Sequence, residues 1–155
     1  MYQAIVFLHV LSVLGFVLLH GISVAAMWRM RAAPSAAHVA AIFDVLPSSR
    51  PLRVMLSVIV ASGLLAGAMG GFLTTGWLWA SLVLLVIIAL VMWRLGGGYY
   101  ELIEAAVTPL LEGHDDAALL ARFEAAKASW HVPLVSAAGL VGLALILWLM
   151  VAKPF

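Results

Sequence analysis

Cysteine is absent from the 155-residue chain. That excludes a disulfide framework, a thiolate metal site and a cysteine nucleophile. Charge is scarce: only 10% of residues are Asp, Glu, Lys or Arg, against roughly 25% in soluble domains. So few charges cannot cover the surface of a water-soluble fold of this size, and 66% of the residues are hydrophobic. Lipid is the natural solvent for such a chain. A net charge of +1, with no basic cluster interleaved with aromatics, gives no reason to expect a nucleic-acid partner. No carboxylate falls inside the long apolar stretches, although a proton-coupled transporter usually carries one there. Gly96-Gly97-Gly98 lacks the lysine and the strand context of a phosphate-binding loop.

What is present in abundance is apolar length. The start, Met1-Tyr2-Gln3, has no side-chain charge, and the run that follows continues uncharged to Trp28. That is too long for a signal-peptide core and long enough to span a bilayer, so a retained helix is expected at about 4–27. The next uncharged stretch, Val54 to Trp93, would make one helix about 60 Å long, roughly twice the hydrocarbon thickness. It must fold back, and Thr74-Thr75-Gly76 is the natural turn, with Trp77 and Trp79 behind it as an interfacial belt. Spans are therefore expected at about 53–73 and 77–95, and a last one at about 131–152. The expected fold is an all-α, integral membrane four-helix bundle forming a single transmembrane domain.

Orientation follows from lysine and arginine counts. The first loop holds Arg29, Arg31, Arg50 and Arg53, the third holds Arg94, Arg122 and Lys127, and the second holds none. Both basic loops are expected in the cytoplasm and both termini outside, in the inner (cytoplasmic) membrane of a cell. The third loop, about 96–130, reads as helical. Gly96-Gly97-Gly98 would break or bend the third helix, and Asp115-Asp116 would cap a short helix running to Trp130. Leu119, Leu120 and Phe123 of that helix are placed on the membrane surface. Asp44-Val45-Leu46-Pro47 reads as a loop.

Small residues decide which helix faces touch in lipid. Gly63, Gly67 and Gly71 lie four apart in the second span, and Ala138 and Gly142 share that spacing in the fourth. Such faces serve ordinary packing or clear space for a planar cofactor. Ionisable residues within the membrane point to function, and three histidines qualify: His9, His20 and His131. His9 and His20 are eleven apart, about three turns and roughly 16 Å along one helix face. His20 and His131 are expected at matching depth. Imidazole ligates haem iron, copper or zinc, and two histidines on facing helices would suit haem b. Met69 and Met150 should lie near the depth of His9, where a histidine with thioether sulfur would suit haem or copper(I). The alternative for each histidine is a hydrogen bond to a neighbouring helix. His38 and His114 read as loop residues without a metal role. Glu101 and Glu104 share a helix face but lack the Glu-x-x-His spacing of di-metal sites, and read as solvated.

Several short segments carry a resemblance. The first span opens Phe7-Leu8-His9-Val10-Leu11, the second is entered by Arg50-Pro51-Leu52-Arg53, the fourth by Trp130-His131-Val132-Pro133, and the chain ends Leu149 to Phe155. This layout resembles the superfamily of HemJ-type protoporphyrinogen oxidases and copper-resistance protein D. The resemblance implies a haem b-binding or copper-associated helical bundle with His9 as first ligand. The chain departs from the HemJ pattern, which has a tryptophan and a glycine after the histidine where this sequence has Phe16-Val17-Leu18-Leu19, and a lysine in the third span where this one is uncharged. The resemblance thus places it beside the small four-helix members of the group rather than with the porphyrinogen oxidases. Three roles follow as expectations: a haem protein with a redox or haem-handling role; a non-catalytic accessory subunit of a larger membrane complex, or a homo-oligomer; and copper handling through His9, Met69 and Met150.

Overall fold

The computed structural model describes residues 1–46, 49–114 and 116–155. Every regular element among them is helical: α1 (Tyr2–Arg31), α2 (Ala36–Val45), α3 (Ser49–Met69), α4 (Gly76–Val91), α5 (Gly97–Leu111), α6 (Ala117–Lys127) and α7 (His131–Ala152). A 3-10 turn, Phe72–Thr74, precedes α4, and a π-helical segment, Met92–Gly96, joins α4 to α5. Four stretches are long and apolar enough to cross a membrane: Tyr2–Arg31, Ser49–Met69, Gly76–Leu111 and Ala117–Ala152. The all-α class and the four long apolar helices follow from composition, because in lipid a segment must satisfy its backbone polar groups internally.

Local chemistry sets the ends. Ser35 caps α2 by accepting the His38 amide, and the Asp116 carboxylate caps α6 by accepting the Leu119 amide at 2.7 Å. Asp115, the other acid expected to cap this helix, lies outside the described residues. α6 stops at Lys127 and a short break precedes α7, so the expected run to Trp130 is three residues too long. The reversal after α3 comes earlier than Thr74-Thr75-Gly76. Gly71 adopts a left-handed φ of 74°, a conformation that glycine takes without steric cost, and the helix ends at Met69. Gly71 thus belongs to the turn, not to a helix face shared with Gly63 and Gly67. Asp44 and Val45 are the last turn of α2 rather than a loop, and Pro47 lies outside the described residues. The triple glycine does not break the third long helix: the π segment passes directly into α5.

The chain divides into two compact units. The first comprises Met1–Ile22, Pro47–Ile88 and Leu140–Phe155. Its helices touch where glycines permit. A Cβ on Gly15 would lie 3.3 Å from Met55 Sδ, and one on Gly63 would lie 2.9 Å from His9 Cε1. Position numbers rise along α1 as they fall along α3, so the two are antiparallel. Gly67 packs against Leu78, Gly76 against Phe155, and Gly142 so tightly against Ile88 that there is no room for a Cβ there; α4 and α7 are therefore also antiparallel. Trp77, Leu78 and Leu149 form a small core with Phe72 and Met150 packed on it.

The second unit comprises Ser23–Leu46 and Ala89–Gly139. It holds a larger core in which Met30, Val39, Tyr99, Ile103 and Val132 are fully buried. Tyr99, Ile103, Ala106 and Val107 recur at helical spacing along α5 and form its spine. Phe123 of α6 is only 3% exposed and belongs to this core, whereas Leu120 is 48% exposed. The row placed on the membrane surface is thus split, because α6 turns Phe123, Ala126 and Lys127 inward as one face. The stretch between the third and fourth spans is not a slack connection.

Candidate functional site

His9 is held by α3. Its Nδ1 lies 3.0 Å from the Ile59 carbonyl oxygen and 3.2 Å from Ser62 Oγ. A carbonyl oxygen only accepts, so Nδ1 carries the proton and donates it. Ser62 passes its own hydroxyl proton back to the carbonyls of Val58 and Ile59 one turn earlier, which leaves its oxygen lone pairs facing the ring. Gly63 completes the seat, since its missing Cβ is the space in which Cε1 lies. With Nδ1 fixed as donor, Nε2 is left as an unprotonated lone pair. This is the tautomer in which an imidazole binds a metal, with its second nitrogen oriented by a carbonyl.

The other two histidines differ in chemistry. The His20 ring stacks on Phe16 one turn earlier, with centroids 6.0 Å apart and planes 8° from parallel. His131 opens α7. Its amide donates to Ser129 Oγ, and the same hydroxyl lies 2.5 Å from Nδ1. A hydroxyl has two lone pairs and one proton, so Ser129 can accept from the amide and still either donate to Nδ1 or accept from it. The tautomer of His131 is therefore not fixed by this contact, and its Nε2 edge faces Gly98. His20 belongs to the first unit and His131 to the second.

The two methionines are placed by different contacts. Met69 ends α3, six residues and about 9 Å along the axis beyond Gly63, and is 38% exposed. Met150 packs on the Trp77–Leu149 core. Among the described residues no three His, Asp or Glu side chains are grouped so as to hold a metal ion. His38 lies within α2 rather than in a loop and bonds Ser35, and His114 is an exposed neighbour of Glu112 at 3.9 Å. Glu101 is exposed, and Glu104 lines a shallow groove of about 250 Å³ with Asp44 and Thr108.

One polar assembly has no counterpart in the sequence reading. Lys127, 9% exposed, donates from Nζ to the Ala33 carbonyl at 2.9 Å, pairs with Glu124 at 2.9 Å and lies 4.7 Å over the Phe123 ring. Arg31 donates to the carbonyls of Lys127 and Ser129. Trp28 Nε1 donates to Ser136 Oγ at 2.9 Å. Together these tie the end of α1 to the α6–α7 junction. Their partners are mostly backbone carbonyls, which leave no residue-type signature in a sequence.

Fold and site together define a class: an all-α protein with four helices long and apolar enough to cross a membrane and a histidine on one of them held by a carbonyl of another. Comparison with protein-family models, with curated proteins and with solved structures returned no match.

Proposed function

We propose that the chain is a multi-pass protein of the cytoplasmic membrane that binds haem b through Nε2 of His9, with both termini outside and the basic loops in the cytoplasm. The observation that supports this reading is the donation from His9 Nδ1 to the Ile59 carbonyl, which frees Nε2 as a lone pair. Donor count favours haem over a bare ion. A porphyrin brings four nitrogens of its own, so one imidazole suffices to anchor it, whereas a bare zinc ion takes three or four protein ligands. The grouped donors that such a bare-ion site requires are lacking among the described residues, and the distance of Met69 from Gly63 along α3 weighs against copper. Haem b bound there would supply one-electron redox chemistry. The chain's own residues would hold the ring: Ile59 and Ser62 fix its tautomer and Gly63 its approach. The likeness to the HemJ and copper-resistance protein D group favours the same residue.

Protein purified from its native membrane is expected to show a Soret band that His9→Ala removes and His131→Ala leaves. Colourless protein that also fails to take up added haem defeats the proposal. Orientation is open to a clean test because the chain has no cysteine. A single cysteine at Thr74 should react with an impermeant maleimide from outside intact cells, and one at His114 only after lysis. A second reading, a non-catalytic subunit of a larger membrane complex, is favoured by the wide apolar surface of α7, where Leu140 is 75% and Val151 75% exposed. A stable larger partner retained through mild-detergent purification of colourless protein would favour it.

A further inference from the structure

The charged side chains of the first unit are Arg50, Arg53 and Lys153, with no Asp or Glu among them. Lys153 lies against aromatic faces. Its Nζ lies 4.7 Å from the Phe72 ring centroid and 5.7 Å from that of Trp77. The two rings stand 5.5 Å apart and 58° from parallel, an open angle with the ammonium in it. The tail is drawn back to make this contact. Lys153 has a φ of 45°, a left-handed conformation that side chains bearing a Cβ avoid. The Trp77 amide donates to the Phe155 carbonyl at 3.2 Å, and the Phe155 ring fills the space above Gly76.

Lys153 is exposed, so water serves its donors and a primary ammonium gains little from such a place. It keeps three strongly hydrated donors, and ring faces satisfy none of them well. N-methylated ammonium groups lose less hydration and are what aromatic faces recognise in choline and methyl-lysine sites. We propose that the Phe72–Trp77 pair is a binding site for N-methylated ammonium groups, with Lys153 as a stand-in that such a cation displaces. A phosphatidylcholine headgroup and a free solute carry this chemistry equally.

The chain has two lysines, Lys127 and Lys153, and this supplies the readout. Lys127 is buried and bonded to Ala33, so it serves as the internal control. In phosphatidylglycerol nanodiscs, tetramethylammonium should raise the acetylation rate of Lys153 about fivefold over sodium chloride at equal ionic strength, with Lys127 unchanged. Lys153→Ala should bind tetramethylammonium more tightly than the native chain by saturation-transfer NMR, and Phe72→Leu should lose that binding. Phosphatidylcholine nanodiscs that expose Lys153 without added cation identify the headgroup as the source. A response to the free cation alone identifies a solute. Equal acetylation in both salts and both lipids, or undiminished binding by Phe72→Leu, overturns the proposal.

Discussion

At the scale of single residues, glycines and one histidine govern contact. Gly63 and Gly21 are both helical glycines, yet a Cβ on Gly63 meets the His9 ring at 2.9 Å while one on Gly21 meets nothing within 4 Å. Gly63→Ala is expected to cost about 1–3 kcal/mol by overpacking. Gly21→Ala should be neutral or stabilise by up to about 1 kcal/mol through helix propensity. Thermal unfolding in detergent compares the two directly, and equal losses would contradict the seat described for His9. The histidine itself was legible: an ionisable residue in an uncharged span stands out on composition alone. Its partners were not, because Ile59 contributes only a carbonyl, and Ser62 carries no mark separating it from Ser57 or Ser81. The spacing of Gly63, Gly67 and Gly71 was legible too, but not that Gly71 has left the helix.

Among the elements, the long apolar helices could be read from hydropathy, because twenty uncharged residues permit few other structures. The short helices between spans could not. Asp44 and Val45 look like a loop because an acid precedes a proline, yet α2 keeps them through packing against α5, where Phe43 meets Tyr100 at 5.9 Å. Lys127 illustrates the same limit. A lysine in a loop reads as solvated, but here its ammonium closes the end of α1 through Ala33. Lys127→Met keeps the stem and removes the donor. It should destabilise by about 1–3 kcal/mol, since a buried carbonyl loses its partner. Arg122→Met, on the exposed face of the same helix, should change stability by less than about 0.5 kcal/mol. Denaturant titration of both variants checks the difference.

Over the whole molecule, the chain has two packed regions of different character. The first unit is built from helix pairs meeting at glycines, with a core of three buried hydrophobics. Among the described residues, the core of the second joins twelve buried positions. Phe123→Ala should accordingly cost about 3–5 kcal/mol, and Leu120→Ala, from a side chain 48% exposed, less than about 1 kcal/mol. Hydrogen exchange should show slow amides along α5 from Tyr99 to Val107; fast exchange there would contradict a packed second unit. Composition announced the membrane but not this core. Its members are apolar residues scattered through α1, α2, α5, α6 and α7, and only folding assembles them.

The π-helical turn at Met92–Gly96 bears on how that core came to be in phase. A π turn holds one residue more than the α-helix it interrupts, and one residue of an α-helix is about 100° of rotation. Upstream, Met92 and Leu95 pack on the second unit's core; downstream, Tyr99, Ile103 and Val107 enter it. The turn takes up the extra residue and keeps the two segments in phase. Deleting Gly97 would therefore relax the turn to α-helix and leave the α5 spine close to its present orientation, with Tyr99 still within reach of the Met27 carbonyl. A second deletion in the same segment has no bulge left to absorb it and would swing the spine through about 100°. The single deletion should keep the slow amides of α5, and the double deletion should unfold the second unit.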